Sequence, residues 1–322
     1  MNEAKSVVPS DKARQKLSII VPCFNEEKAI PLFFDAVQKV VTKMPLDIEY
    51  WFVNDGSSDN SLNEMNDLHN EYPDLVHFVS FSRNFGKEAA MYAGFRASTG
   101  DYVASMDVDL QDPPALLPQM YDLLKTNEYD IIGCARTDRT GENPIKTFFS
   151  DAFYGFINKI SDTKIIPGAR DFRMMTRQAI NAVLSMKEYD RFSKGMFAWV
   201  GFRTKYLPYH NVERVAGTSK YSITSLFKYA LAGIADFSQV PLHIASWIGG
   251  ISFMVSLIGI LFVLIRHLIN PATAIVGWAS TISILLLIGG LQLLCLGIIG
   301  QYIGKIFMQV KHRPIYIVQE KK

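Results

Sequence analysis

Between residues 17 and 136, short apolar runs alternate with longer stretches whose apolar positions recur at helical spacing. LSIIVPCFN, IEYWFVNDGSSD, VHFVSFSRN, YVASMDVDL and DIIGCAR read as strands, and the first four end in polar or turn residues. Between them, EEKAIPLFFDAVQKVVTK, DNSLNEMNDLHNEY, GKEAAMYAGFRAST and PALLPQMYDLLKTN read as helices. This alternation predicts an α/β domain, a parallel sheet covered by helices on both faces. Ligands of such sheets bind at the carboxyl ends of the strands. Asn25-Glu26, Asn54-Asp55, Arg83-Asn84, Asp107 to Asp109 and Arg136 are therefore expected to gather at one edge.

The pattern changes in the last third. From Phe237 to Gly304 the only Asp, Glu, Lys or Arg is Arg266, whereas residues 1–236 carry 57 of the 64 charges. A wholly soluble protein is excluded by that division, and disorder by the Val, Ile, Phe and Tyr content of the front section. Uncharged stretches at about 244–265 and about 275–299 are each long enough to span a bilayer, which predicts a two-helix hairpin. Lys220 and Lys228 precede it, and Lys305, Lys311, Arg313, Lys321 and Lys322 follow it, so both chain ends are expected in the cytoplasm, at the inner membrane of the cell. The expected organisation is a flexible lead at 1–16, a globular α/β domain at 17–220, a juxtamembrane amphipathic helix at 221–240, the hairpin at 241–300 and an amphipathic cytoplasmic tail at 301–322. In the juxtamembrane stretch, Ile223, Leu226, Phe227, Ala230, Leu231 and Ile234 suit either the interface plane or packing on the domain. Ile145, Phe148, Phe149, Phe153, Phe156 and Ile160 leave the same two readings open.

Net charge is +2, which indicates no nucleic-acid partner. Cys23, Cys134 and Cys295 are far apart and lack metal-ligand spacing, so neither a disulfide framework nor a zinc site is expected. The N-terminus has no apolar core and does not read as a signal peptide.

Candidate chemistry centres on Asp107-Val108-Asp109, after a strand and ahead of Leu110-Gln111-Asp112-Pro113-Pro114. Two carboxylates at i and i+2 beside a Gln carbonyl offer hard oxygens to Mg2+ or Mn2+, with other positions left for water and phosphate. Such a metal would neutralise a departing diphosphate. The competing reading is a solvated acidic turn.

VPCFNEE, VNDGSSD, SRNFGKEAA, MDVDLQDPP and ARDFRMM, in that order, resemble glycosyltransferase family 2. Within it the chain is most similar to the polyprenyl-phosphate glycosyltransferases, the group of dolichyl-phosphate mannose synthase and the bacterial bactoprenol glucosyltransferases. The resemblance runs from residue 17 to about 310 and implies the GT-A fold, a Rossmann-like nucleotide-sugar domain. It places Pro22, Phe24 and Glu26 in the nucleotide pocket, Asp55 on the base or ribose, and Val108 with its flanking aspartates against the donor. Asp107, Asp109 and Gln111 would hold the metal, and Arg136 would meet phosphate. Arg214 and Lys220 match the family's cationic pair near the membrane, a fork and a point charge suited to two neighbouring phosphates. Turn and core roles for Pro22 and Phe24, a strand stop at Asp55 and a solvated basic face for Arg214 and Lys220 stay open.

Asp171 matches the family's acceptor-side acid, with an internal salt bridge to Arg170 or Arg173 as the alternative. A phosphate monoester has a second pKa of about 6, so the acceptor is mostly dianionic at neutral pH. It needs orientation more than proton removal. Arg191, Lys194 and Gly195 lie in a family-like stretch but receive no individual role.

The resemblance thus implies an inverting transferase. Asp109, Asp171 and Lys220 would carry the chemistry that moves one sugar from a nucleotide diphosphate sugar to a polyprenyl phosphate. UDP-glucose is the first-choice donor, with UDP-N-acetylglucosamine and GDP-mannose as alternatives, and family members suggest a homo-oligomer. A processive polysaccharide synthase is disfavoured by the lack of a Gln-x-x-Arg-Trp signature, and a silent scaffold by the intact Asp107-Asp109 pair.

Overall fold

The computed structural model of the chain describes residues 14–136, 166, 168–209, 240–269 and 278–322. The interfacial candidates at 145–160 and 223–234, together with Arg214 and Lys220, lie outside them. The chain divides into two compact units, one formed by residues 1–154, 164–221 and 314–322, the other by 155–163 and 222–313.

The first unit is built on one sheet. Its strands are β1 (Lys16–Cys23), β2 (Asp47–Asn54), β3 (Val76–Phe81), β4 (Tyr102–Ser105), β5 (Ile131–Arg136), β6 (Ala169–Thr176), β7 (Thr204–Tyr209) and β8 (Val318–Lys321), in the spatial order β7-β5-β6-β4-β1-β2-β3-β8. β4, β1, β2 and β3 run parallel, as the alternating pattern predicts. The sheet as a whole is mixed, because β6 is inserted antiparallel between β4 and β5. β6 is the segment AlaArgAspPheArgMetMetThr, recognised in the sequence as a motif and not as a strand. It has buried neighbours on both faces, so no polar and apolar alternation advertised it.

Side-chain alternation sends successive residues of β1 to opposite faces. Leu17, Ile19 and Val21 join one core with Phe33, Phe34 and Val37 of α1 (Ala29–Val41) and Met120 and Leu124 of α4 (Leu117–Lys125). Ile20 joins the other with Ala90 and Phe95 of α3 (Lys87–Ala97) and Ile180 and Val183 of α5 (Arg177–Ser185). α2 (Ser61–Glu71) covers β3 on the first face through Met65. α6 (Ser193–Trp199) adds Phe197 to the second. The parallel strands therefore carry helices on both sides, and their carboxyl ends are left for the loops that form the site.

Residues 314–322 do not form the amphipathic tail expected of them. β8 adds antiparallel to β3, Tyr316 stacks on Phe81 with centroids 4.8 Å apart, and Ser82 donates its N–H to the Ile317 carbonyl at 3.1 Å. The strand covers the edge that β3 would otherwise expose.

The second unit contains α7 (Val240–Ile269) and α8 (Trp278–Val310). Among the described residues one stretch, Leu287–Val310, is long and apolar enough to cross a membrane, and Ala245–Gly259 is a shorter apolar one. The helix of the expected second span thus continues past residue 299 to Val310.

α3 lies close to β1 and β2 because position 94 is glycine. A Cβ there would stand 2.1 Å from Ile20 Cγ2, inside a packed core. Gly94→Ala is expected to cost about 1–3 kcal/mol. Thermal unfolding of the full chain in detergent, followed by tryptophan fluorescence, should show a lower midpoint; an unchanged midpoint would mean that α3 is not seated as described.

Candidate active site

The loops after β1, β2, β3 and β4 meet at the carboxyl edge. The first two are knitted together. Asn25, in the left-handed region at φ 55°, donates its N–H to Ser57 Oγ at 2.9 Å and accepts the Ser58 N–H at 2.8 Å. Glu26 N–H reaches Ser61 Oγ at 2.8 Å, and Asp59 accepts from Glu27 N–H and from Ser61. Gly56, at φ 68°, allows the β2 loop to touch the next loop, since a Cβ there would sit 2.3 Å from the Arg83 carbonyl carbon.

That next loop, Ser82 to Gly86, holds the site together. Asp55 is almost fully buried and accepts the Phe85 N–H at 2.6 Å and the Gly86 N–H at 3.0 Å. Burial raises the Asp55 carboxyl above its ordinary range, against the lowering effect of the two amides and Arg83. Asp55 therefore anchors the loop in this structure. One residue on, Lys87 Nζ lies 2.6 Å from Asp107 Oδ1 and 2.6 Å from Asp171 Oδ2. Burial opposes ionisation of Asp171, but Lys87 and then Lys194 hold its carboxyl well below the usual range. Its salt-bridge partner is thus Lys87, and neither Arg170 nor Arg173. A carboxylate so paired is a poor base and a good orienting group.

Glu88 follows. It accepts the Ser193 N–H at 3.1 Å and also the Ser193 hydroxyl, at the start of α6. Burial first, and then the Asp171 charge, push its carboxyl up from 4.5 to about 7, against the Ser193 hydrogen bonds and Lys87.

Beyond the aspartate pair, the chain turns at Leu110, φ 56°, and Gln111 donates its N–H to Asp109 Oδ1 at 3.2 Å. The Gln111 side-chain oxygen accepts from Arg170 Nη2 at 3.1 Å. Arg170 also faces buried Asp112 at 3.5 Å, and Asp112 accepts the Tyr209 hydroxyl at 2.5 Å. Val108 is buried beneath the turn. Pro22 lies in register with Val53 within the sheet, and Arg136 with Tyr209. Cys23 reports how closely the acids converge: burial, then the charges of Glu26, Asp107 and Asp59, push its thiol well up.

The donor set suits a hard divalent cation. Asp107 and Asp109 supply carboxylates at the strand end, and no group of three or more His, Cys, Asp or Glu forms a closed cage among the described residues. A metal would complete its shell with water and phosphate oxygens, the habit of Mg2+. Gln111 Oε1, which accepts from Arg170, has a second lone pair with which it could join them. At this edge lie Glu26, Asp55, Asp107, Asp109, Gln111 and Asp171, each in the contacts given above. Lys87, Glu88, Asp112 and Arg170 take part as well. Lys87 and Glu88 stood inside SRNFGKEAA, but nothing local in that run tells a site lysine from a surface one.

The mixed α/β sheet with an aspartate pair at its carboxyl edge is GT-A-like, an architecture of glycosyltransferases. The model of glycosyl transferase family 2 matches residues 18–184, and the chain belongs to that family; it is a glycosyltransferase. It is 40% identical to CsbB of Bacillus subtilis (strain 168), over 94% of this chain and 91% of that one. It is 38% identical to the bactoprenol glucosyl transferase of Shigella phage SfV, over 95% of this chain and 99% of that one. Among solved structures, the mannosyltransferase PcManGT from Pyrobaculum calidifontis, in complex with GDP-Man and Mn2+, aligns at 21% identity with a TM-score of 0.46, over 67% of this chain and 62% of that chain.

Because the folded Glu88 pKa lies above 4.5, the folded chain binds more protons than the unfolded one between about pH 4.5 and 7. This group's contribution to stability is full below 4.5 and falls as pH rises through 7. Glu88→Gln should flatten that part of the profile. Melting curves of both proteins at about pH 5 and about pH 8 measure it; equal losses on raising the pH would show that Glu88 does not titrate there.

Proposed function

We propose that this chain transfers a single sugar, with inversion, from a nucleotide diphosphate sugar to a polyprenyl phosphate at the inner face of the cytoplasmic membrane. One observation carries the reading. A protein named bactoprenol glucosyl transferase is similar over 95% of this chain, apolar helices included, and not over the sheet alone. UDP-glucose is the proposed donor on the same ground.

Asp107 and Asp109 would hold Mg2+ or Mn2+, which when bound supplies charge to the departing diphosphate. Glu26, with Pro22 and Phe24, would border the nucleotide, Asp55 would keep the loop that faces it in place, and Val108 would floor the turn. Arg136, Arg214 and Lys220 would meet phosphates. The acceptor phosphate, already mostly dianionic at neutral pH, needs alignment opposite the leaving group and exclusion of water. Asp171, held ionised by Lys87, is suited to orient and not to deprotonate. Assembly into a homo-oligomer belongs to the same proposal.

The return of residues 314–322 to the sheet supports the topology. The chain leaves the first unit for the apolar helices and comes back to it, which calls for an even number of crossings. At 30 residues, α7 would be about 45 Å long, enough to span alongside α8. Both chain ends would then be cytoplasmic. Cysteines placed at 271–274 should react with an impermeant thiol reagent from outside the cell and one at Lys311 should not; the reverse pattern would refute this arrangement.

The activity is tested with labelled UDP-glucose and undecaprenyl phosphate. Labelled lipid is expected, and Asp109→Asn or EDTA should abolish its formation while the protein stays folded. Turnover only with UDP-N-acetylglucosamine or GDP-mannose would move the donor assignment. Long polymer would favour a synthase, and undiminished activity of Asp109→Asn would remove the metal from this pair.

A further inference from the structure

We infer that Lys87 is a resident counter-cation of the donor site, one that a divalent metal must displace from Asp107. The inference rests on the metal assignment to Asp107 and Asp109 above and gives a role to a residue outside the proposed phosphate and metal ligands.

Lys87 sits in the first turn of α3, where the helix dipole disfavours a cation. Its position is explained by what lies opposite. Asp107 follows β4 and Asp171 belongs to β6, and the ammonium lies 2.6 Å from an oxygen of each. It is the cation that ion-pairs with both carboxylates, which come from neighbouring strands. The contact is not sealed, because the Lys87 side chain keeps 32% of its exposure and Asp107 29%, so an incoming ion can reach the same oxygen.

A divalent ion on Asp107 Oδ1 and an ammonium at 2.6 Å from that oxygen would repel one another strongly. The two are alternatives there. Asp171 gives Lys87 a second partner to keep when Asp107 is taken, so release costs the site one contact and not both. The flexible four-carbon stem then lets the ammonium turn toward the phosphate oxygens that arrive with the metal. The arrangement makes metal binding weak in the empty enzyme and strong with nucleotide diphosphate, which brings ligands for the metal and a new partner for Lys87. Lys87 is on this view a positioning residue for Asp107 in the empty state and a phosphate contact in the loaded one.

Binding of Mn2+ to the full-length protein in detergent, read by electron paramagnetic resonance, tests this without turnover or acceptor. With Mn2+ alone, Lys87→Met should bind at least about tenfold more tightly than wild type, because the competing charge is gone. With UDP present that advantage should shrink or reverse, while Lys87→Arg, which keeps the charge, should stay within about threefold of wild type in Mn2+ alone. Lys87→Met binding Mn2+ no more tightly than wild type would overturn the inference, and so would failure of both proteins to bind Mn2+ even with UDP. If Lys87→Met does not fold, acetylation of wild-type Lys87 followed by mass spectrometry decides. Saturating Mn2+ should speed modification by freeing the amine from Asp107, and an unchanged or slower rate would overturn the proposal. Transfer to undecaprenyl phosphate stands or falls on its own assay, so loss of one reading is distinguishable from loss of the other.

Discussion

The site depends on the concentration of acids at one sheet edge and on the short segment that neutralises them. Asp55, Asp107 and Asp171 come from three different strands or strand ends, and their carboxylates set a demand for donors and cations at that edge. Four consecutive residues answer it. Phe85 and Gly86 donate backbone N–H groups to Asp55, Lys87 joins Asp107 to Asp171, and Glu88 carries the connection on to Ser193 and α6. Because these residues run directly into α3, which is packed against β1 with no room for a side chain at Gly94, the segment inherits the rigidity of the core.

The C-terminal strand gives that segment a second support. β8 pairs with β3 up to Phe81, and Tyr316 stacks on the same Phe81 whose ring also meets Phe85 edge-on at 5.8 Å. The last residues of the chain thus brace the strand from which the Asp55 and Lys87 contacts are suspended. The chain beyond its apolar helices is thereby joined to the sheet. Here the join is a ladder of backbone hydrogen bonds and an aromatic stack.

On the other side of the aspartate pair, Asp112, Arg170 and Tyr209 form a buried polar group that fixes Gln111. Burial raises the Asp112 carboxyl, while Arg170 and the Tyr209 hydroxyl draw it back down, so the acid depends on both partners. Arg170 is in turn held by Asp112, the tyrosine and Gln111, three groups from two segments. The turn after β4 is therefore constrained from both flanks, by Lys87 on one and Arg170 on the other.

Much of this was legible in the residues alone. The parallel strands, the helices between them, the stretch from Phe237 to Gly304 with its single charge and the aspartate pair all follow from local periodicity and composition, because hydrophobic burial acts on neighbouring positions in a way the chain records directly. β6 was not legible as a strand, since a segment buried on both faces shows no alternation, and β8 was not, since Val318–Lys321 carries as many charges as a solvated tail. Nor could residue spacing show that Asp171 chooses Lys87, 84 positions away, over its neighbours Arg170 and Arg173. The sequence by itself determined which residue types were available at the carboxyl edge and that the stretch from Phe237 to Gly304 is apolar and nearly free of charge. Which acid meets which cation was decided only by tertiary structure, because such pairing depends on strand order and on distances of a few ångströms between residues that the chain keeps far apart.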